Sequence, residues 1–332
     1  MNPWLIRLIV LGIAYVVGKE LFISDEKFEI TDDSNCDDLF KKFNQTINIH
    51  PDKVANLRSA HNTIRSKVST YFEKYTNLPI PNFYIQGSYK MGTVIENRST
   101  ICDVDLGVFF PQHPKMNIET IQNHIKKALI GHTSKGVMVK TNCVRLKYAR
   151  DFHIDLPVYF IDGYSGKTYF GSRGRKWEHS EPKAFIKWFK KETNNKPQLI
   201  RIIRYLKAWS NYTKTKTGKK FPSGLALTLW AVRNYKKNNR DDVAFFNTSS
   251  AIMEYLHNNK TWNAIMPVAP GDDVMHRLSS SQKKAFYNEI GEMVSLAADA
   301  VSAPNNTKAI AKWQKIFGYR FKAVTLFKED QI

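Results

Sequence analysis

The stretch from Gln86 to Phe110, QGSYKMGTVIENRSTICDVDLGVFF, constrains this chain more than any other, because it sets Asp103 and Asp105 inside an apolar run. Side chains of a β-strand alternate between faces, so the two aspartates share one face while Val104 and Leu106 point into a core on the other. Carboxylates this close repel each other and lose solvation unless a cation neutralises them, and hard divalent ions such as Mg²⁺ take oxygen ligands of this kind. The pair reads as a metal cradle. Upstream, Gly87 lets the backbone approach a ligand closely, and Ser88 sets a hydroxyl beside free amides, a combination suited to phosphate oxygens. Singly, Asp-x-Asp and Gly-Ser are ordinary features of solvated strands and turns, so the argument rests on their order.

That order, with a further acidic residue in a later strand, resembles the signature of the DNA polymerase β-like nucleotidyltransferase superfamily. The third carboxylate is then Asp155, in Phe152-His153-Ile154-Asp155-Leu156-Pro157-Val158. Phe152, Ile154 and Leu156 alternate with His153 and Asp155, as a half-buried strand requires. His153 shares that polar face, where a histidine is more often a bystander than a ligand.

A chain of 332 residues has room for two modest cores. Its 50 basic against 30 acidic residues give a formal charge of +20, which calls for an anionic partner: nucleotides, nucleic acid or an acidic membrane surface. Three widely spaced cysteines, Cys36, Cys102 and Cys143, form no zinc or disulfide pattern and fit a reducing, cytosolic setting. The run from Trp4 to Val17 is apolar apart from Arg7, and its length falls between a buried helix and a spanning one if Leu21 to Ile23 are counted. No small-x-small cleavage site follows it. Membrane attachment through residues 4–23 and a packed leader therefore stay open as alternatives.

Along the chain, an acidic stretch to Asp38 reads as a linker, and Pro51-Asp52 opens a long helix through Leu57, Ile64, Val68 and Phe72. Phe83 to Ile85 is a short strand. Ile118 to Leu129 is an amphipathic helix with Gly131 placed as its cap, and Val137 to Leu146 and Phe152 to Phe160 read as strands. Beyond Trp177 helical patterns take over. The lysines interleaved with aromatics after Pro182 could bind nucleic acid, but read more simply as the solvated face of an amphipathic helix. A later stripe, Leu199, Ile202, Ile203, Leu206 and Trp209, leaves Arg201, Arg204 and Lys207 to face elsewhere. Ser223, in Phe221-Pro222-Ser223-Gly224, is placed as an N-cap, where a hydroxyl and the first helix amides converge on phosphate-binding geometry. The expected division is a leader and linker over 1–36, a catalytic domain over 37–176 and a helical domain over 177–332.

Taken together, the stretch from Asp38 to Phe321 resembles the bacterial CD-NTases, which are similar to animal cyclic GMP-AMP synthase and oligoadenylate synthase. Gly87-Ser88-Tyr89 with Gly92-Thr93, Asp103-Val104-Asp105, Asp155, and Lys207-Ala208-Trp209 with Pro222-Ser223-Gly224 carry the resemblance. It implies an α+β fold: a polymerase β-like mixed sheet with a long N-terminal helix, a C-terminal helical lobe, and an active-site cleft between them. It further implies that Asp103 and Asp105 hold two Mg²⁺ ions, with Mn²⁺ as a substitute, and that Asp155 ligates the one activating the acceptor hydroxyl. Gln86, Gly87 and Ser88 would bind the triphosphate from one lobe, and Lys207 and Ser223 from the other. The implied product is a cyclic di- or trinucleotide made from nucleoside triphosphates, ATP among them, in the cytoplasm. Such a product would signal to a downstream effector in antiphage (CBASS-type) defence, with nucleic acid not required. The zinc-binding insertion of the animal synthase has no counterpart here, so activation through that DNA-sensing module is not expected. The alternatives are an RNA-end nucleotidyltransferase of the poly(A)- or CCA-adding type, and a catalytically silent nucleic-acid-binding homologue.

Overall fold

Helix α1 (Asp37–Ile47) opens with Asp37 and Asp38 in its first turn, where carboxylates complement the positive end of the helix. Helix α2 (Pro51–Tyr75) follows, with Pro51 at its first position, where the missing amide leaves no donor unpaired. These two helices part company. In the computed structural model, which describes residues 29–96, 102–148, 152–259 and 261–321, the chain forms two units. One comprises residues 48–192 and 267–272; the other comprises the described residues below 48, residues 193–266 and those from 273 on.

The first unit is built on an eight-stranded mixed sheet: β1 (Asn82–Gln86), β2 (Cys102–Phe110), β3 (Val137–Val139), β4 (Val144–Lys147), β5 (Phe152–Leu156), β6 (Val158–Ile161), β7 (Thr168–Gly171) and β8 (Glu178–His179). Strand β2 is central, antiparallel to β1 and parallel to both β5 and β6. Pro157 divides what the alternation predicts as one strand over 152–160. It has no amide to donate, but its carbonyl accepts from Val108 N–H at 2.9 Å, so the pairing continues across the break. The expected strand over 137–146 is a hairpin instead, turned at Thr141-Asn142 and closed by Lys140 N–H donating to the Cys143 carbonyl at 2.8 Å.

One face of this sheet is covered by α2 and by α3 (Ile118–Leu129), which Asn117 caps at its start and which is followed by Gly131 in the left-handed region, as expected of a cap glycine. Leu57, Ile64, Val68 and Phe72 form a stripe down α2 and meet Val104, Leu106, Val108 and Phe110 of β2, Ile121, Ile125 and Leu129 of α3, and Ile154 and Leu156 of β5. Fully burying each such side chain contributes about 1.5 to 3 kcal/mol. The unit ends with α4 (Pro182–Thr193), whose Lys183 ammonium lies 4.6 Å from the Phe109 ring centre.

The second unit is helical: α1, α5 (Pro197–Thr217), α6 (Gly224–Asn234), α7 (Asp241–Asn258), α8 (Ser280–Val301) and α9 (Asn306–Phe317). The two compact units divide at 47/48 and 192/193, where the expected domains begin at 37 and 177, and aromatic packing explains the first of these. Phe40 of α1 meets Tyr205 at 5.1 Å and Trp313 at 4.8 Å, edge to face, and Phe43 meets Phe317 at 4.9 Å. Such pairs add about 0.5 to 1.5 kcal/mol each beyond area burial, so α1 is part of this core. Among the described residues no helix is long and apolar enough to cross a membrane. The apolar run at 4–23 lies outside them.

Candidate active site

The register of β2 with its neighbours assembles the site. Because Val104 and Leu106 are wholly buried in the core, Asp103 and Asp105 occupy the opposite face. On one side β5 runs parallel with Asp103 opposite His153 and Asp105 opposite Asp155; on the other, β1 sets Gln86 opposite Asp105. Asp105 therefore lies between Gln86 and Asp155 in adjacent strands. The three carboxylates predicted to work together share one face of one sheet.

Gly87 follows at once, in the left-handed region at φ +66°, and begins a helical turn, Gly87–Lys90. A Cβ at this position would stand 2.0 Å from Asp105 Oδ2, so both the backbone angle and the contact demand glycine. The Ser88 carbonyl accepts from Thr93 N–H at 2.9 Å, which fixes the turn above Asp105. Gln86 is buried and donates from Nε2 to the Tyr159 hydroxyl at 2.8 Å, while its Oε1 has no partner among the described residues.

Arg145 is the residue that sequence reasoning missed. Strand β4 is antiparallel to β5 with Arg145 opposite Asp155, which puts the guanidinium on the acidic face. It donates from Nε and Nη2 to the two oxygens of Asp155, both at 2.6 Å, and from Nη2 to Asp103 Oδ2 at 3.0 Å. The alternation Val144, Arg145, Leu146, Lys147 carried the signal, but only together with the register of β4. Among the described residues no hydrogen bond reaches the carboxylate of Asp105. Burial, then the charges of Asp155 and Asp103, push its carboxyl up to about 6, against the pull of Arg145. Burial, then Arg145, lowers the His153 imidazole.

Three carboxylates on adjacent strands, one of them destabilised by its neighbours' charge, make a donor set that suits hard divalent cations. Among the described residues no three His, Cys, Asp or Glu side chains converge as a finished metal site. The cause is visible: Asp103 and Asp155 turn toward the intervening guanidinium, and Asp105 turns toward Gly87.

Lys207 and Ser223 belong to the helical unit. Ser223 caps α6, its hydroxyl accepting from Ala226 N–H at 3.2 Å. Lys207, on α5, is 8% exposed, and its Nζ lies 3.8 Å from where a Gly224 Cβ would be, so the lysine and the cap do come together. Burial, then Arg204, lowers the Lys207 ammonium to about 7.

Residues 81–159, from β1 through Asp155, match the family model described as "Cyclic GMP-AMP synthase DncV-like, nucleotidyltransferase domain". This stretch carries a DncV-like nucleotidyltransferase domain, and the chain is similar to the bacterial CD-NTases. A cyclic GMP-AMP synthase of Escherichia albertii is 29% identical over 188 residues, covering 52% of this chain and 42% of that enzyme. A cyclic AMP-AMP-AMP synthase of an Acinetobacter strain is 22% identical over 293 residues, covering 81% and 80%. Among solved structures, apo DncV of Vibrio cholerae superposes with a TM-score of 0.72 at 18% identity, over 88% of this chain and 97% of DncV. The Bradyrhizobium diazoefficiens CD-NTase CdnG in complex with GTP gives 0.74 at 14% identity, over 91% and 100%. The sheet unit thus carries a nucleotidyltransferase domain, with its carboxylates on the face of the sheet opposite α2 and α3.

Proposed function

We propose that the protein condenses nucleoside triphosphates, ATP among them, into a cyclic di- or trinucleotide that serves as a signal in antiphage defence. What supports this most is the grouping of Asp103, Asp105 and Asp155 around the Gln86-Gly87-Ser88 turn, inside a DncV-like nucleotidyltransferase domain. The relatives named above for their cyclic products point the same way.

Asp103, Asp105 and Asp155 would hold two Mg²⁺ ions. When bound, these supply charge neutralisation at the attacking and leaving oxygens of an in-line displacement and lower the pKa of the acceptor hydroxyl. The acceptor oxygen bonds to the α-phosphorus, the bond to the bridging oxygen breaks, and pyrophosphate departs with that electron pair. Gly87 brings the backbone close to the triphosphate, Ser88 offers a hydroxyl, and Gln86 anchors the strand end through Tyr159. Lys207 and the Ser223 cap bind phosphate oxygens from the helical unit, by charge and by helix-terminal amides. A second displacement at the same carboxylates closes the ring.

Purified protein incubated with the four labelled nucleoside triphosphates and Mg²⁺, then treated with phosphatase, should yield a resistant product, since a ring has no terminal phosphate. Labelled chains that are all phosphatase-sensitive, or labelling that begins only when an RNA primer is added, would overturn the reading.

A further inference from the structure

We infer that Arg145 is a placeholder cation, a positioning residue that keeps Asp155 in line and gives up Asp103 when a divalent ion arrives. This rests on the metal-dependent reading above. Both Asp155 oxygens accept from Arg145 at 2.6 Å, in the planar two-point geometry that only a guanidinium supplies, and both side chains are largely buried, at 14% and 16% exposure. The bond to Asp103 differs in kind. It is single, 3.0 Å long, and made to a carboxylate 53% exposed, where water and an incoming ion compete for the same oxygen. One guanidinium thus has a strong end and a weak end.

The arrangement answers a problem posed by the sheet. Asp103, Asp105 and Asp155 lie on adjacent strands with the fold forcing them together, and until a ligand binds something must offset their repulsion. Arg145 does so for two of the three, and its charge opposes that of any ion entering beside Asp103. A divalent ion alone therefore enters at a penalty, and one bringing the negative charge of a triphosphate does not.

The test is a titration of the nucleotide-free full chain with Mn²⁺, followed by electron paramagnetic resonance of the free ion. Arg145→Gln should bind Mn²⁺ about tenfold more tightly than the parent, since removing a unit charge a few ångströms from the ion relieves repulsion of that order or more. Arg145→Lys keeps the charge but cannot hold Asp155 at two points while reaching Asp103, and should fall between the two. Equal or weaker Mn²⁺ binding by Arg145→Gln would overturn the inference. Should circular dichroism find that variant unfolded, Arg145→Lys decides: tighter binding than the parent supports the placeholder, and no change overturns it. Because the readout is Mn²⁺ affinity, its failure is distinct from that of the functional reading. A chain that makes no cyclic product yet tightens on Mn²⁺ in Arg145→Gln keeps the placeholder and loses the cyclase.

Discussion

Two aspartates, one in each unit, face arginines and resolve the encounter in opposite ways. Asp241, at the start of α7, is completely buried and receives Arg201 Nε at 2.6 Å, Arg201 Nη2 at 2.8 Å, Gln198 Nε2 at 2.9 Å and the Tyr205 hydroxyl at 3.0 Å. Its charge is answered from within the protein, and despite burial its carboxyl is held below the ordinary value, chiefly by Arg201. Asp105 has its carboxyl raised by burial, then by Asp155 on the adjoining strand and Asp103 on its own, and among the described residues no hydrogen bond reaches its side chain. A charge that the fold completes is architecture; a charge that the fold leaves in deficit waits for something from solution. The same Asp→Asn change should therefore have opposite consequences at the two positions.

The largest expected effect is on catalysis. Asp105→Asn removes a proposed metal ligand, and loss of several kcal/mol of transition-state stabilisation should lower turnover by about three orders of magnitude. Steady-state rates of product formation should show the fall in kcat more than in KM, because the groups proposed to hold phosphate are intact. Asp241→Asn should leave per-molecule turnover near the parent's in the correctly folded fraction. Comparable losses of kcat at both positions would erase the contrast.

Next comes stability. Asp241→Asn strands the Arg201 charge and disturbs four hydrogen bonds, and breaking a buried pair on one side costs about 3 kcal/mol, measurable as a lower midpoint in urea. Asp105→Asn should do the reverse. It removes a carboxylate that the fold disfavours and should stabilise the metal-free protein at neutral pH by about 2 kcal/mol. The signs follow from linkage. Asp105 in the folded chain holds its proton up to about 6, above its ordinary 3.8, so stability falls as pH rises through that window. Asp241, held below its ordinary value, gives stability that is present above that value and lost as pH falls through its folded one. Urea midpoints measured across this range should lose the upper slope in Asp105→Asn and the acid limb in Asp241→Asn. A parent whose stability rises smoothly from pH 4 to pH 6.5 would contradict the deficit at Asp105.

The contrast also marks how far the sequence could be read. Alternation alone put Asp103, Asp105 and Asp155 on polar strand faces, because a strand with one buried side has a single way to face. The Ser223 cap and the helix from Ile118 to Leu129 were legible for the same local reason. Arg145 was not, since its meaning depends on which strand β4 pairs with and in which register, a long-range choice that no short window contains. Helix α1 was hidden differently: acidic residues up to Asp38 look like linker, whereas Phe40 and Phe43 beyond them pack among aromatics some 160 to 280 residues later in the chain. The pairing of Asp241 with Arg201 was not legible, because a buried ion pair gives no local pattern.

The smallest effect concerns Lys207, which carries the comparison into the helical unit. Its ammonium is lowered to about 7 by burial, then by Arg204, and the negative charge of a phosphate would act against both. Only the charged form attracts phosphate, so binding a triphosphate must draw a proton onto Lys207 whenever the pH lies above its free value. Nucleotide affinity should then weaken as pH rises beyond 7, by up to about tenfold per unit until the bound-state value is reached. Lys207→Met removes the dependence together with the attraction: its affinity should be about tenfold below the parent's at pH 7 and flat from pH 7 to 9. Lys236→Ala, at a position outside the proposed site, should follow the parent throughout. Calorimetric titrations with a non-hydrolysable triphosphate at three pH values would distinguish these cases. A parent whose affinity is flat above pH 7 while Lys207→Met binds equally well would remove Lys207 from the nucleotide site and leave it as a lysine buried for packing alone.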